Sequence, residues 1–210
     1  MVKQSEGGWR LWAGVGVATG IAALLFPRKV VAAMTNNTRG PADPPTPSGP
    51  APAASATYTA GRYAPNDPST VLLFQSAARY VNAPVEWATA FGPLHRLLEK
   101  ESDGWVGRPN YQFGSLATIA NQSRWPEVWS AIQNGSWRSL ILPQYASSPS
   151  SATGLGQLTV TNIATGKYYP SGVMGIGKPL EEAIGMLRYI IERYKTPTAA
   201  LDFHNKNNWY

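Results

Sequence analysis

The sequence predicts a mainly α protein in three parts: an apolar segment over residues 1–34, a Pro-rich linker over 35–67 and a helical globular domain over 68–210. Three observations carry this division. Apolar residues recur at helical spacing from Pro68 onward, strand-like alternation is scarce there, and composition changes sharply on either side of the linker. The domain is long enough to build a core without disulfides, which the absence of Cys excludes in any case.

Leu11 to Phe26 is an uncharged apolar run of 16 residues, opened by Trp9 and Trp12 and bracketed by Arg10 and the Arg28-Lys29 pair. A full span needs about 20 such residues. Aromatic and basic flanks fit a helix anchored at a membrane interface. A basic start, a short apolar stretch and the small residues Val31-Ala32-Ala33 fit a secretory signal, although Arg28 and Lys29 stand where a cleavage region is ordinarily neutral. A helix buried against a partner is the third reading. Between Pro41 and Ala53 six of thirteen residues are Pro. Such a stretch cannot bury enough apolar surface to form a core, and as polyproline II the linker would extend on the order of 100 Å. Its role is that of a spacer.

In the domain, Ser69-Thr70 is expected to cap a helix bearing Val71, Leu72, Phe74, Ala77, Ala78 and Val81. After Asn82-Ala83-Pro84, residues 85–102 read as a second helix with a bend at Gly92-Pro93. Leu94, Leu97 and Leu98 share one face, which leaves Glu99, Lys100 and Glu101 at its end. Leu180, Ile184, Leu187, Ile191 and Tyr194 recur at the spacing of an amphipathic helix. Pro179 precedes it, Glu181 and Glu182 occupy its first turn, and Arg193 and Lys195 close it, so both ends complement the helix dipole. A short hairpin is expected between Leu155 and Tyr169.

Charge and composition narrow the chemistry. The chain carries a net +6, yet residues 68–210 hold 12 basic against 9 acidic side chains and no Lys/Arg-rich run. Nucleic acid is therefore not the expected partner. A mildly positive body suits an anionic surface such as cell-wall polymer or lipid headgroups. Zero Cys and only His95 and His204 leave no thiolate or His-rich metal site, so neither metal nor cofactor is expected. Carboxylates, amides and hydroxyls remain.

One constellation can use them. Glu101-Ser102 closes a helix, Ser151-Ala152-Thr153-Gly154-Leu155-Gly156-Gln157 follows much later, and the chain ends on Ala200-Leu201-Asp202-Phe203-His204-Asn205 and a short polar tail. A carboxyl at a helix C-terminus meets unfavourable negative potential, and an apolar cleft desolvates it. Both effects raise its pKa and suit a general acid. A Gly-rich turn lets backbone approach a ligand closely, and Gln adds an amide donor and acceptor.

In this order the segments resemble the lysozyme-like soluble lytic transglycosylases, and in particular their phage tail and virion branch. The family's Glu-Ser is matched by Glu101-Ser102, its Gly-Leu-Met-Gln by Gly154-Leu155-Gly156-Gln157, its Tyr-Leu helix by Arg188-Tyr189-Ile190 and its Ala-Leu-x-x-Tyr-Asn by Ala200 to Asn205. The resemblance covers roughly residues 70–210 apart from an insertion, and implies a lysozyme-like α+β catalytic domain. It implies Glu101 as catalytic acid and Ser102, Gly154, Leu155, Gln157, Tyr189, His204 and Asn205 as substrate-binding residues. The substrate implied is the peptidoglycan glycan strand. Glu101 would protonate the oxygen between N-acetylmuramic acid and N-acetylglucosamine, then take the C6 hydroxyl proton as a 1,6-anhydro ring closes.

Two departures stand out. Gly156 replaces Met, and His204 replaces a Tyr whose hydroxyl Tyr168, Tyr169 or Tyr189 could supply. The insertion, Val106 to Ser148, carries Tyr111, Phe113, Trp125, Trp129, Trp137 and Tyr145. One or two of these are expected to face sugar and the others to form a small core. A hydrolytic glycosidase needs a second carboxylate about 5–9 Å from the first. Asp103 is expected to point elsewhere and Asp202 has no assigned place, which favours the lyase. A hydrolytic muramidase, a conjugation or secretion transglycosylase and a non-catalytic glycan-binding virion protein remain alternatives. The expected setting is a virion acting in the bacterial envelope (periplasm or cell wall), with residues 1–34 engaging a membrane or virion components.

Overall fold

The structure, a computed structural model, describes residues 58–207. The expectations for the apolar segment and for the linker up to residue 57 lie outside the described residues, as does the chain end from 208.

Helix α1 (Pro68–Tyr80) is started by Asp67, whose Oδ1 accepts hydrogen bonds from the Ser69 backbone N (2.8 Å) and Oγ (2.6 Å). Asp67 is the cap, then, and not Ser69-Thr70. Pro68 takes the first helical position, where its missing N–H has no partner to lose. Thr70 turns inward and its hydroxyl donates to the Ala64 carbonyl at 2.7 Å. Leu73, Phe74, Ala77 and Ala78 form the buried face, whereas Leu72 is exposed.

The single bent helix expected over 85–102 is two pieces: a 3₁₀ turn at Val85–Ala88 and helix α2 at Pro93–Glu101. Phe91 takes a left-handed φ of 63° and Gly92 is extended, as the steric demand of a following Pro favours. Helix α2 buries Leu94, His95, Leu97 and Leu98. The 106–148 segment contributes 3₁₀ turns and α3 (Trp125–Gln133), followed by the single-turn α4 (Val160–Ile163). Helix α5 (Pro179–Tyr194) begins where the periodicity places it, and α6 (Pro197–Asn207) follows a tight turn at Lys195.

The protein is mostly helical across the described residues, with no strand and only isolated bridges. Instead of a hairpin, Thr153 and Leu158 exchange backbone hydrogen bonds of 3.2 and 3.1 Å and close the Gly154–Gln157 turn. No described helix is long and apolar enough to cross a membrane.

Two apolar clusters hold the body. One packs Leu73 and Phe74 of α1, Leu94 and Leu98 of α2, Ile184, Leu187 and Ile190 of α5, and Leu201 of α6 around Leu155. Full burial of each such side chain contributes about 1.5–3 kcal/mol before chain entropy is counted. The other joins Phe113, Val128, Ile132, Trp137, Ile163, Tyr169 and Tyr189. Helix α5 serves both clusters. Phe113, Trp125 and Trp137 are accordingly core residues, while half-buried Trp129 donates from Nε1 to the Gly107 carbonyl at 2.7 Å.

Residues 58–67, which the sequence assigns to the linker, pack on this body. Tyr63 is buried, and backbone bonds run from Tyr63 N to Gly104 O (2.8 Å) and from Val106 N to Gly61 O (3.0 Å). Arg62 clamps both oxygens of Asp103 at 2.8 Å, which ties the loop after α2 to the 58–67 segment.

Candidate active site

Glu101 is the last residue of α2, and its side chain is only 13% exposed. Burial pushes its carboxyl up to about 8, with the Lys100 charge pulling partly back. The group is mainly protonated at neutral pH. It lines a cleft of about 550 Å³ together with Lys100, Arg108, Tyr111, Gln157 and His204. Among the described residues no other carboxylate lines this cleft.

His204 Nε2 stands 3.3 Å from Glu101 Oε1, and the His204 side chain is 12% exposed. Burial and the Lys100 charge both hold the imidazole below its ordinary pKa. At neutral pH the two groups are therefore both uncharged, and the contact is not an ion pair. Nδ1 of His204 is buried and has no partner among the described residues.

Behind the acid lies a backbone lattice. Ser102 Oγ donates to the Leu155 carbonyl at 3.0 Å and accepts from Gly104 N at 3.2 Å, which fixes the end of α2 against the Gly154–Gln157 turn. Beneath that turn, Glu182 is completely buried. Its Oε2 accepts from Gly107 N (3.0 Å) and Leu155 N (2.9 Å), and its Oε1 from Gly177 N (2.7 Å). Burial raises the Glu182 carboxyl to about 7 while the three N–H donors hold it down. Gly154 has φ 77°, and a Cβ there would lie 2.6 Å from the Glu182 carboxyl carbon. Only glycine fits.

Gln157, itself at φ 46°, donates from Nε2 to the Arg108 carbonyl (2.9 Å) and the Gly154 carbonyl (3.0 Å). Its amide nitrogen is thus committed to backbone, and its oxygen is the part left for a ligand. Arg108 Nη1 donates to the Ser102 carbonyl at 3.2 Å. Tyr111, 69% exposed, stands at the cleft with Tyr145 edge-on to it at 5.4 Å. Of the six aromatics of the 106–148 segment Tyr111 alone lines the cleft; the other five, Tyr145 included, do not.

Glu101, Gln157 and His204, expected from sequence, meet in the cleft. Leu155 and Tyr189 do not line it: Leu155 is in the core, and Tyr189 packs edge-on against Tyr168 at 5.5 Å. Gly154 and Ser102 are buried supports, and Asn205 is exposed on α6 away from the lining. Tyr169 cannot supply a hydroxyl to the acid, being fully buried beside Glu182 and Gly154. Tyr111 is the one of the six insertion aromatics that reaches the cleft, whereas neither Glu182 nor Arg108 is expected at the site from the sequence. Glu182 carried a signal, since it shares a helical face with Met186 and Tyr189, both buried.

No protein-family model, curated protein or solved structure matches the chain.

Proposed function

We propose that the domain is a lysozyme-like peptidoglycan lytic transglycosylase, carried by a virion and acting during penetration of the bacterial cell wall. The observation that carries this reading is Glu101: one enclosed carboxyl, protonated at neutral pH, in a cleft with no second carboxylate among the described residues.

Chemistry with a single acid must use it twice. The protonated Glu101 carboxyl donates its proton to the glycosidic oxygen as the bond from C1 of N-acetylmuramic acid to that oxygen breaks. The sugar's own N-acetyl carbonyl shares the positive charge at C1. Glu101, now a carboxylate, accepts the C6 hydroxyl proton while O6 bonds to C1, and the carboxyl is restored. A hydrolase would need a base for water some 5–9 Å away, and Asp103 is held by Arg62 instead.

The Pro-rich stretch and the apolar run ahead of it support a tethered enzyme whose residues 1–34 engage a membrane or virion components. The test is mass spectrometry of muropeptides released from purified cell wall by the chain and by Glu101→Gln. Anhydro ends, absent with the variant, are expected. Ends heavier by one water would make it a hydrolase, and no release by the native chain would leave a glycan binder.

A further inference from the structure

Among the described residues the cleft holds two cations and no anion to match them. Lys100 and Arg108 both line it, while Glu101 and His204 are uncharged at neutral pH. Lys100 is exposed and makes no ion pair with a described residue, yet its charge reaches both Glu101 and His204. Arg108 is fixed rather than free. Nη1 is held by the Ser102 carbonyl, and its own carbonyl accepts from Gly154 N (3.0 Å) and Gln157 Nε2 (2.9 Å). Its Nε and Nη2 have no partner among the described residues, and the nearest acid in sequence, Asp103, is engaged by Arg62.

A guanidinium tied down by one nitrogen and open at the others is arranged to receive a planar anion on two N–H groups. The site lies within one residue of the acid on one side (Lys100) and is bonded to the residue after it on the other (Arg108 to Ser102). We propose that Lys100 and Arg108 form a carboxylate subsite, so that the cleft selects a glycan whose sugar next to the scissile bond carries an anionic substituent. The inference rests on the glycan-cleaving reading and narrows it. Two sources offer that carboxylate: the lactyl ether of a stem-free sugar and the peptide stem. Tyr111 supplies an apolar ring face beside the subsite, and neutral chitooligosaccharides satisfy the ring but not the cations.

The experiment compares the full chain on four substrates: cell-wall glycan with its peptide stems, the same material with its carboxylates converted to amides, stem-free glycan with free lactyl groups, and N-acetylglucosamine hexamer. The dissociation constant of each soluble substrate for Glu101→Gln is measured in parallel. Carboxylate-bearing glycans are expected to be bound and cleaved about tenfold better than amidated or neutral ones, mainly through KM, and less so as salt rises. Arg108→Gln and, independently, the exposed Lys100→Gln are expected to erase that preference. Retained preference on stem-free glycan assigns the lactyl carboxylate; its loss there assigns the stem. Equal cleavage of all four substrates would overturn the subsite and leave the function standing. Neither binding nor cleavage of any would overturn both.

Discussion

Glu101 and His204 face each other across 3.3 Å with both side chains nearly enclosed, and each is held in its uncharged form by the same burial. An ion pair would lower the carboxyl's pKa. A neutral imidazole leaves it raised, so the residue that departs from the family pattern is compatible with acid catalysis.

Replacing the acid should divide activity from stability. The folded pKa of Glu101, about 8, lies above its ordinary 4.5. The stability of the protonated form is therefore complete below the unfolded value and is lost as pH rises towards 8. Glu101→Gln removes that loss. The variant is expected to gain roughly 3 kcal/mol at pH 7 and little at pH 4. Denaturant titrations at the two pH values measure it, alongside a fall in cleavage of about 10² to 10⁴.

The pH–rate profile should fall through about 8, as Glu101 loses the proton it must donate. His204→Ala admits water to the carboxyl, so its alkaline limb should move at least about one unit lower. A limb that stays in place with alanine would show that His204 takes no part in holding the acid neutral.

Glu182 should behave in the opposite way to Glu101, although both are buried. It accepts three backbone N–H bonds from Gly107, Leu155 and Gly177, so Glu182→Ala leaves two buried donors and one half-buried donor unpaired. The expected loss is about 3 kcal/mol or more, read by chemical denaturation. An unchanged midpoint would mean the lattice under the turn is dispensable.

Gly154→Ala tests the same lattice from above. A methyl group at φ 77° beside the Glu182 carboxyl is expected to lower stability by about 1–3 kcal/mol and to reduce cleavage through displacement of Gln157. Thermal denaturation and turnover of cell wall, measured together, check both.

The sequence made the helices legible where apolar spacing and end signals agree, as in α5 from Pro179 to Tyr194. It failed where local rules compete. Asp67 outbid Ser69 for the cap of α1 because its carboxylate reaches both the Ser69 N–H and hydroxyl. A left-handed Phe91 ahead of Gly92-Pro93 broke what periodicity read as one helix. At the site, Glu101, Gln157 and His204 could be named from short motifs. Tyr111 could be named only as one of six insertion aromatics, and Arg108 not at all, since no local motif marks a basic residue whose guanidinium is held by the Ser102 carbonyl. Glu182 was read as a dipole-complementing surface acid because its register with Met186 and Tyr189 was overlooked.

Glu101 keeps its proton at a pH where a carboxyl is ordinarily charged. Carbon-13 NMR titration of the Glu side-chain carboxyls, with Glu101→Gln identifying the signal, measures this. A midpoint of about 8 is expected for Glu101. A midpoint near the ordinary 4.5 would leave the cleft without its acid.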